Sequence, residues 1–167
     1  EISGSIADAG PADSFELRVD WGDGSVDTFE YPAGTAEFHE THEYAGGGIF
    51  LVDMSLSDDD GGVDTRAQTS LVTGVGLRDG VLQIVGTEGD DVVHLSQLGG
   101  ERLLLMADFL SDPWHLQSFS LEDVERIDAV MVDGNDLAVV AGNVGVPAIL
   151  DGGAGGDLVK GGEGDDV

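Results

Sequence analysis

The chain has 167 residues, 41% of them hydrophobic, enough for one or two domains with their own cores and too many for a wholly disordered chain. It carries 34 Asp and Glu against 6 Lys and Arg, a formal charge of −28. Such a surface repels nucleic acid and anionic membranes; it suits divalent cations or, equally on charge alone, a halophile-like or simply soluble protein. Cysteine is absent, so the core or a bound metal must do what disulfides do in many secreted domains.

Along the chain, Phe15, Leu17, Val19 and Trp21 alternate with Glu16, Arg18 and Asp20, the pattern of a half-buried strand. Gly22-Asp23-Gly24-Ser25 is a tight turn. Phe29 and Tyr31 mark a second strand, and Ala36 and Phe38 a third. Phe50, Val52, Met54 and Leu56 then give the clearest alternation, followed by the loop Asp58 to Gly62 and a closing strand over Thr65 to Val72. Short strands separated by turn signals predict an antiparallel sandwich. Its inward face is expected to hold Leu17, Val19, Trp21, Val52, Met54 and Leu56.

Trp21-Gly22-Asp23-Gly24, Thr41-His42-Glu43-Tyr44, the strand Gly48 to Leu56 and Asp58 to Gly62 resemble a PKD domain, an immunoglobulin-like module. The resemblance covers Gly4 to Val72 and departs from the family at the run Gly46-Gly47-Gly48. It implies an extracellular adhesion or spacer module with no active site of its own, and a turn-capping role for His42. His39 and His42 are three residues apart, an odd separation that puts them on opposite faces of a strand and argues against one shared metal ion. Asp23 reads as a turn-former, and Asp58 to Asp60 as a solvated acidic loop, the alternative being a Ca²⁺ site at the domain's end.

Thr73 to Gly80, with three glycines, reads as a linker. Val81 to Val85 is a strand, and a hairpin flanks Gly99-Gly100-Glu101. A short helix is expected over Leu121 to Arg126, capped by Ser120, and strands over Ile127 to Val132 and Leu137 to Ala141. The most apolar run, Leu137 to Leu150, is broken by Gly142, Asn143, Gly145 and Pro147 and falls short of the ~20 residues a membrane span needs.

The last sixteen residues hold the sharpest signal. Gly152-Gly153-Ala154-Gly155-Gly156-Asp157-Leu158-Val159-Lys160 is followed in register by Gly161-Gly162-Glu163-Gly164-Asp165-Asp166-Val167. A flexible glycine-rich linker would not repeat Gly and Asp at a fixed spacing. The two copies resemble the nonapeptide G-G-x-G-x-D-x-U-x of RTX calcium-binding repeats. Glycines at slots one, two and four allow a tight turn that aims carbonyl oxygens at one point, and the Asp adds a carboxylate. The ligand set implied for Ca²⁺ is Gly152, Gly153, Gly155 and Asp157 in the first copy, and Gly162, Gly164 and Asp166 in the second. Worn versions precede it: Gly86 to His94, with Asp91 in the ligand slot, and Asp133-Gly134-Asn135-Asp136, with Asp136 there. Val93, Val139 and Val159 are expected to point inward.

In that family, successive nonapeptides turn on opposite edges, so a full site needs two turns 18 residues apart. Asp136 and Asp157 are 21 apart, out of register unless a bulge absorbs the excess, and the turn at Gly161 looks back to Asn143-Val144, which has no carboxylate. Half-sites at Asp157 and Asp166 are therefore expected, with affinity on the order of 1 mM.

The expected fold is all-β: an antiparallel immunoglobulin-like β-sandwich over residues 1–75, then over 76–167 the N-terminal rungs of a parallel β-helix or β-roll, with well-formed repeats at 152–167. The ends read as those of a segment from a longer protein. The expected function is a calcium-binding structural or adhesive module of a secreted or cell-surface bacterial protein. The alternative is a non-catalytic accessory region of a secreted protease or glycan-degrading enzyme. Expected partners are calcium ions and surface glycans or extracellular proteins, not nucleic acid. An enzyme is not expected: no nucleophile elbow, His-Glu-x-x-His or P-loop occurs, and nothing singles out a carboxylate pair among the 34 acids.

Overall fold

The computed structural model describes residues 1–7 and 12–167; residues 8–11, inside the Gly4 to Val72 stretch, lie outside the described residues. The protein is all-β. Among the described residues it has fifteen strands and one 3₁₀ turn. Its contacts divide it into two compact units, Glu1–Ala45 with Phe50–Ser70, and Gly46–Ile49 with Leu71–Val167.

In the first unit, β2 (Phe15–Asp20) lies between β3 (Val26–Tyr31) and β5 (Gly48–Asp58), antiparallel to both, and β6 (Val63–Val72) completes the sheet beyond β5. A second, two-stranded sheet pairs β1 (Ile2–Ser5) with β4 (Glu37–Glu40), Ile2 opposite Glu40. The alternation of β2 and β5 buries Leu17, Val19, Trp21 and Val52, with Ile2 from the small sheet. Met54 and Leu56 are half-buried and pack against that core from the outer end of β5. This arrangement is consistent with a β-sandwich.

The second unit holds two mixed sheets around one core. One has the order β14-β12-β8-β7, from Ala148–Asp151, Arg126–Val130, Val81–Val85 and Gly74–Arg78. The other has the order β11-β10-β9-β13-β15, from Leu116–Ser120, Arg102–Ala107, Val92–Leu98, Leu137–Val140 and Leu158–Lys160. β8, β12 and β14 run parallel, as do β9, β13 and β15. The chain passes from the first sheet to the second three times, over residues 86–91, 131–136 and 152–157, six residues each time. Ile84, Ala129 and Leu150 form one register column, and Val93, Ala138 and Val159 another.

Four details differ from the sequence expectation. The expected linker contains β7, which pairs antiparallel with β8 and turns Val75 and Leu77 onto the core. The expected helix is only a 3₁₀ turn at Leu121–Asp123, and Ser120 makes no side-chain cap bond. Val139 is not inward: it pairs with His94 and Lys160, while Ala138 and Val140 are buried, because the register of β13 is set by β9. Val159 shares the inward column of Val93 and Ala138 but remains 37% exposed, since β15 is an edge strand.

Candidate metal centre

The three six-residue turns end on Asp91, Asp136 and Asp157. Parallel pairing stacks them: Leu137 faces Val92 on one side and Leu158 on the other. The Asp91 N–H donates to Asp136 Oδ1 at 2.8 Å, and the Asp136 N–H donates to Asp157 Oδ1 at 3.0 Å. The carboxylates of Asp136 and Asp157 thus each hold the backbone of the neighbouring turn, while that of Asp91 accepts from Thr87 in its own turn. Asp136 and Asp157 were expected out of register at 21 residues, yet they are neighbours. β13 and β14 have four residues each where β15 has three, and the connection 141–147 has seven where the turns have six, which absorbs the excess.

The glycine positions follow from this stacking. A Cβ on Gly152 would stand 2.7 Å from Asp157 Oδ2, so slot one must be empty for the carboxylate to fold back over its own turn. Gly86 and Gly161 stand in the same relation to Asp91 and Asp166. A Cβ on Gly153 or Gly155 would collide with the carbonyl of Val132 or Gly134 in the turn beneath, and one on Gly134 would stand 2.5 Å from the carbonyl of Gly89. The carbonyls of one turn are therefore packed against the α-carbons of the next. Val132 occupies the slot of Gly153 and shares its left-handed backbone, φ 76° against 75°, which a β-branched side chain disfavours.

The column is buried and acidic. Asp91 is 4% exposed and Asp136 2%. Asp136 Oδ2 is buried without a hydrogen-bond partner, and an unpaired buried charge is costly. Burial pushes the Asp136 carboxyl above its ordinary range; the Asp91 N–H opposes this, and repulsion from Asp91, Asp157 and Asp90 adds to it. The ion pairs of the described residues lie elsewhere, at His39–Glu1, His42–Asp23, Arg66–Asp64 and Arg126–Asp128. Among the described residues no ion pair reaches the column. Among the described residues no three His, Asp or Glu side chains converge as a complete ligand set, so a cation here would draw on backbone carbonyls as well. Asp136 Oδ2, lacking any partner, fits that demand.

Sequence reasoning missed a second ladder beside the first. The N–H and Nδ2 of Asn135 donate to Asp90 Oδ1 at 2.7 and 3.1 Å, and Gly156 N–H donates to Asn135 Oδ1 at 3.1 Å. The signal was available: Asn135 precedes Asp136 as Asp90 precedes Asp91.

Asp166 lies apart from the column, accepting from Ala148 N–H at 3.0 Å. Its turn stacks on 141–147: Glu163 N–H reaches Val144 O at 2.9 Å, and a Cβ on Gly162 or Gly164 would stand 2.5 or 2.6 Å from the carbonyls of Val144 and Val146. No carboxylate lies in that lower turn.

In the first unit, Asp23, Ser25 and His42 meet. His42 Nε2 lies 2.8 Å from Asp23 Oδ2 and 3.3 Å from Ser25 Oγ, and Ser25 Oγ also bonds Asp23. Carboxylate and hydroxyl share one ring nitrogen, whereas a serine relay needs them on opposite nitrogens. The cluster is a clamp: His42 stacks on Trp21 at 4.7 Å and meets Tyr44 edge-on at 4.6 Å, while Tyr44 OH donates to Trp21 O. Burial would raise the Asp23 carboxyl, but bonds from Ser25 and His42 outweigh it and hold it at about 2. His39 instead faces Glu1 at 3.5 Å, so the two histidines do not share a partner. Asp58 accepts from Asp60 and Gly62 N–H, an ordinary turn. Among the described residues no helix is long and apolar enough to cross a membrane. No model of a known protein family matches the chain, and no curated protein is similar to it in sequence.

Proposed function

We propose that the second unit is the opening of a parallel β-roll whose Asp91–Asp136–Asp157 column binds Ca²⁺, and that the chain is a calcium-dependent structural or adhesive module of a secreted or cell-surface bacterial protein. The first unit serves in this reading as a PKD-like spacer. The single observation that carries it is Asp136: a carboxylate 2% exposed, one oxygen unpartnered, in a column that no ion pair among the described residues reaches. Ca²⁺ takes six to eight oxygens at a time, carboxylate and carbonyl alike. Asp136 and Asp157 would supply carboxylate oxygens, and the stacked turns, with the carbonyls of Val132 and Gly134, would supply the rest. The ion would neutralise the column and tie neighbouring turns together. The parallel registers and the equal six-residue turns support the β-roll reading. Extracellular Ca²⁺ modules bind at roughly 0.1–1 mM, which suits a site at this modest level of assembly.

Titration calorimetry with CaCl₂ on the chain and on Asp136→Asn tests it. The chain should bind in the range of about 0.1–1 mM, and its second unit should gain more thermal stability than the first at matched ionic strength. The variant should lose both responses while being the more stable protein without calcium. Unchanged binding by the variant would sink the assignment.

A further inference from the structure

The outward face of the five-stranded sheet is unlike the rest of the molecule. Register aligns Leu116, Met106, His94, Val139 and Lys160 in one straight row across all five strands. Beside it run Val92, Leu137 and Leu158. Leu158 is 64% exposed, and Met106, Leu116 and Val92 are exposed too. No outward strand position on this face is Asp or Glu, in a chain with 34 of them. Acids lie just outside the strands: Glu101 beside Arg102, Asp157 beside Leu158, and Asp108 and Asp112, which accept from backbone N–H groups, Asp108 from Val92 and Asp112 from Trp114 and Leu116. The other sheet of the unit turns Asp128 and Asp151 outward.

Contiguous exposed apolar surface marks an interaction site, and charge decides the occupant. Two copies at −28 each repel wherever carboxylates meet, because like charges pressed together and stripped of water are costly. This face lets two copies touch without burying a carboxylate from its strands. Its cations, Arg102 at one end of the hairpin and Lys160 on the edge strand, stand where they can reach acids outside the partner's face. Five strands about 4.8 Å apart give a patch roughly 20 Å across. With Trp114, 78% exposed beside it, that is on the order of 600 Å² per copy, which doubled clears the ~1,000 Å² a specific interface needs.

We propose that a second copy of this chain packs on this face, sheet against sheet, as a two-fold dimer. Because the remainder of each copy is strongly acidic, salt strengthens the association by screening the repulsion. Sedimentation equilibrium of the whole chain at about 50 and 500 mM NaCl, spanning the range over which screening changes most, provides the test. The dimer should tighten at least tenfold at the higher salt and persist when calcium is chelated. Val139→Glu, at the centre of the face, should weaken it at least tenfold, and Leu116→Glu serves the same end if the first variant melts early. Ile149→Glu, on the outward face of the other sheet, should leave it unchanged. A monomer at every salt and concentration would overturn the proposal and leave the face to a lipid surface or another protein. A dimer that chelation dissolves, or one indifferent to both face variants, would overturn it equally.

Discussion

The two units each hold a carboxylate in a crowded place and treat it in opposite ways. Asp23 in the first unit has Ser25 and His42 around it, and these hold its carboxyl at about 2. Asp136 in the second unit has one backbone donor, one empty oxygen and three other carboxylates nearby, and its carboxyl is pushed up. The first arrangement is complete from the chain's own atoms. The second leaves one buried oxygen without a partner. The two differ in burial as well as in bonding: Asp23 lies at the surface, whereas Asp136 is 2% exposed with one oxygen unpartnered.

The comparison breaks most sharply at the turns. Gly155→Val would drive a side chain into the Gly134 carbonyl at a left-handed position and should cost the second unit about 3 kcal/mol or more, enough to unstack the column. Hydrogen exchange should then show β13 and β15 unprotected and the calcium response gone, with β2 and β5 unaffected.

Acid should separate the units by sign. Asp23 is depressed in the folded state, so its stabilisation is present above the unfolded value of about 4 and disappears as pH falls toward 2. His42→Ala should weaken that dependence, since the bonds from Ser25 remain, and cost about 1 kcal/mol at neutral pH. Asp136 is raised, so it costs stability at neutral pH, and the cost fades as acid protonates it before the unfolded chain reaches about 4. In calcium-free buffer the second unit should therefore gain stability on mild acidification while the first does not. Melting curves followed from pH 7 to pH 2 check both signs, and parallel curves for the two units would remove the distinction.

The smallest effect is expected at Val132. Replacing it with Gly relieves a β-branched residue at φ 76° but frees the unfolded chain, for a net gain of about 0.5 kcal/mol. Denaturant midpoints with and without Ca²⁺ would show whether the relief is larger once the turn holds its ion.

Much of this was legible in the sequence where side chains alternate. Phe15 to Trp21 and Phe50 to Leu56 gave their strands and buried faces directly, since period two is a local property. Leu137-Ala138-Val139-Val140 has no alternation, so its phase could come only from pairing with β9 and β15, and Val139 was assigned inward although it faces out. β7 was hidden because Gly74 and Gly76 leave just Val75 and Leu77 to show a face. Asp157 stood out through its glycines. The partnership of Asp136 with it did not, because a fixed period of 18 cannot anticipate longer strands and a longer connection. The acid-free face was out of reach for the same reason: it is assembled from five strands whose order is not their order in sequence.

Asp91 and Asp136 are 45 residues apart and Asp136 and Asp157 only 21, yet the same bond joins each pair. Most of the surplus lies in the return path from β9 to β12, where β10, β11 and the 3₁₀ turn are accommodated, and the longer β9 and β12 take up the rest. The molecule thus keeps a conservative margin, with turns of constant length, and a permissive margin, where sequence can grow without the other side registering it. Growth between β9 and β12 thus changes what the scaffold displays while the carboxylate column stays in step.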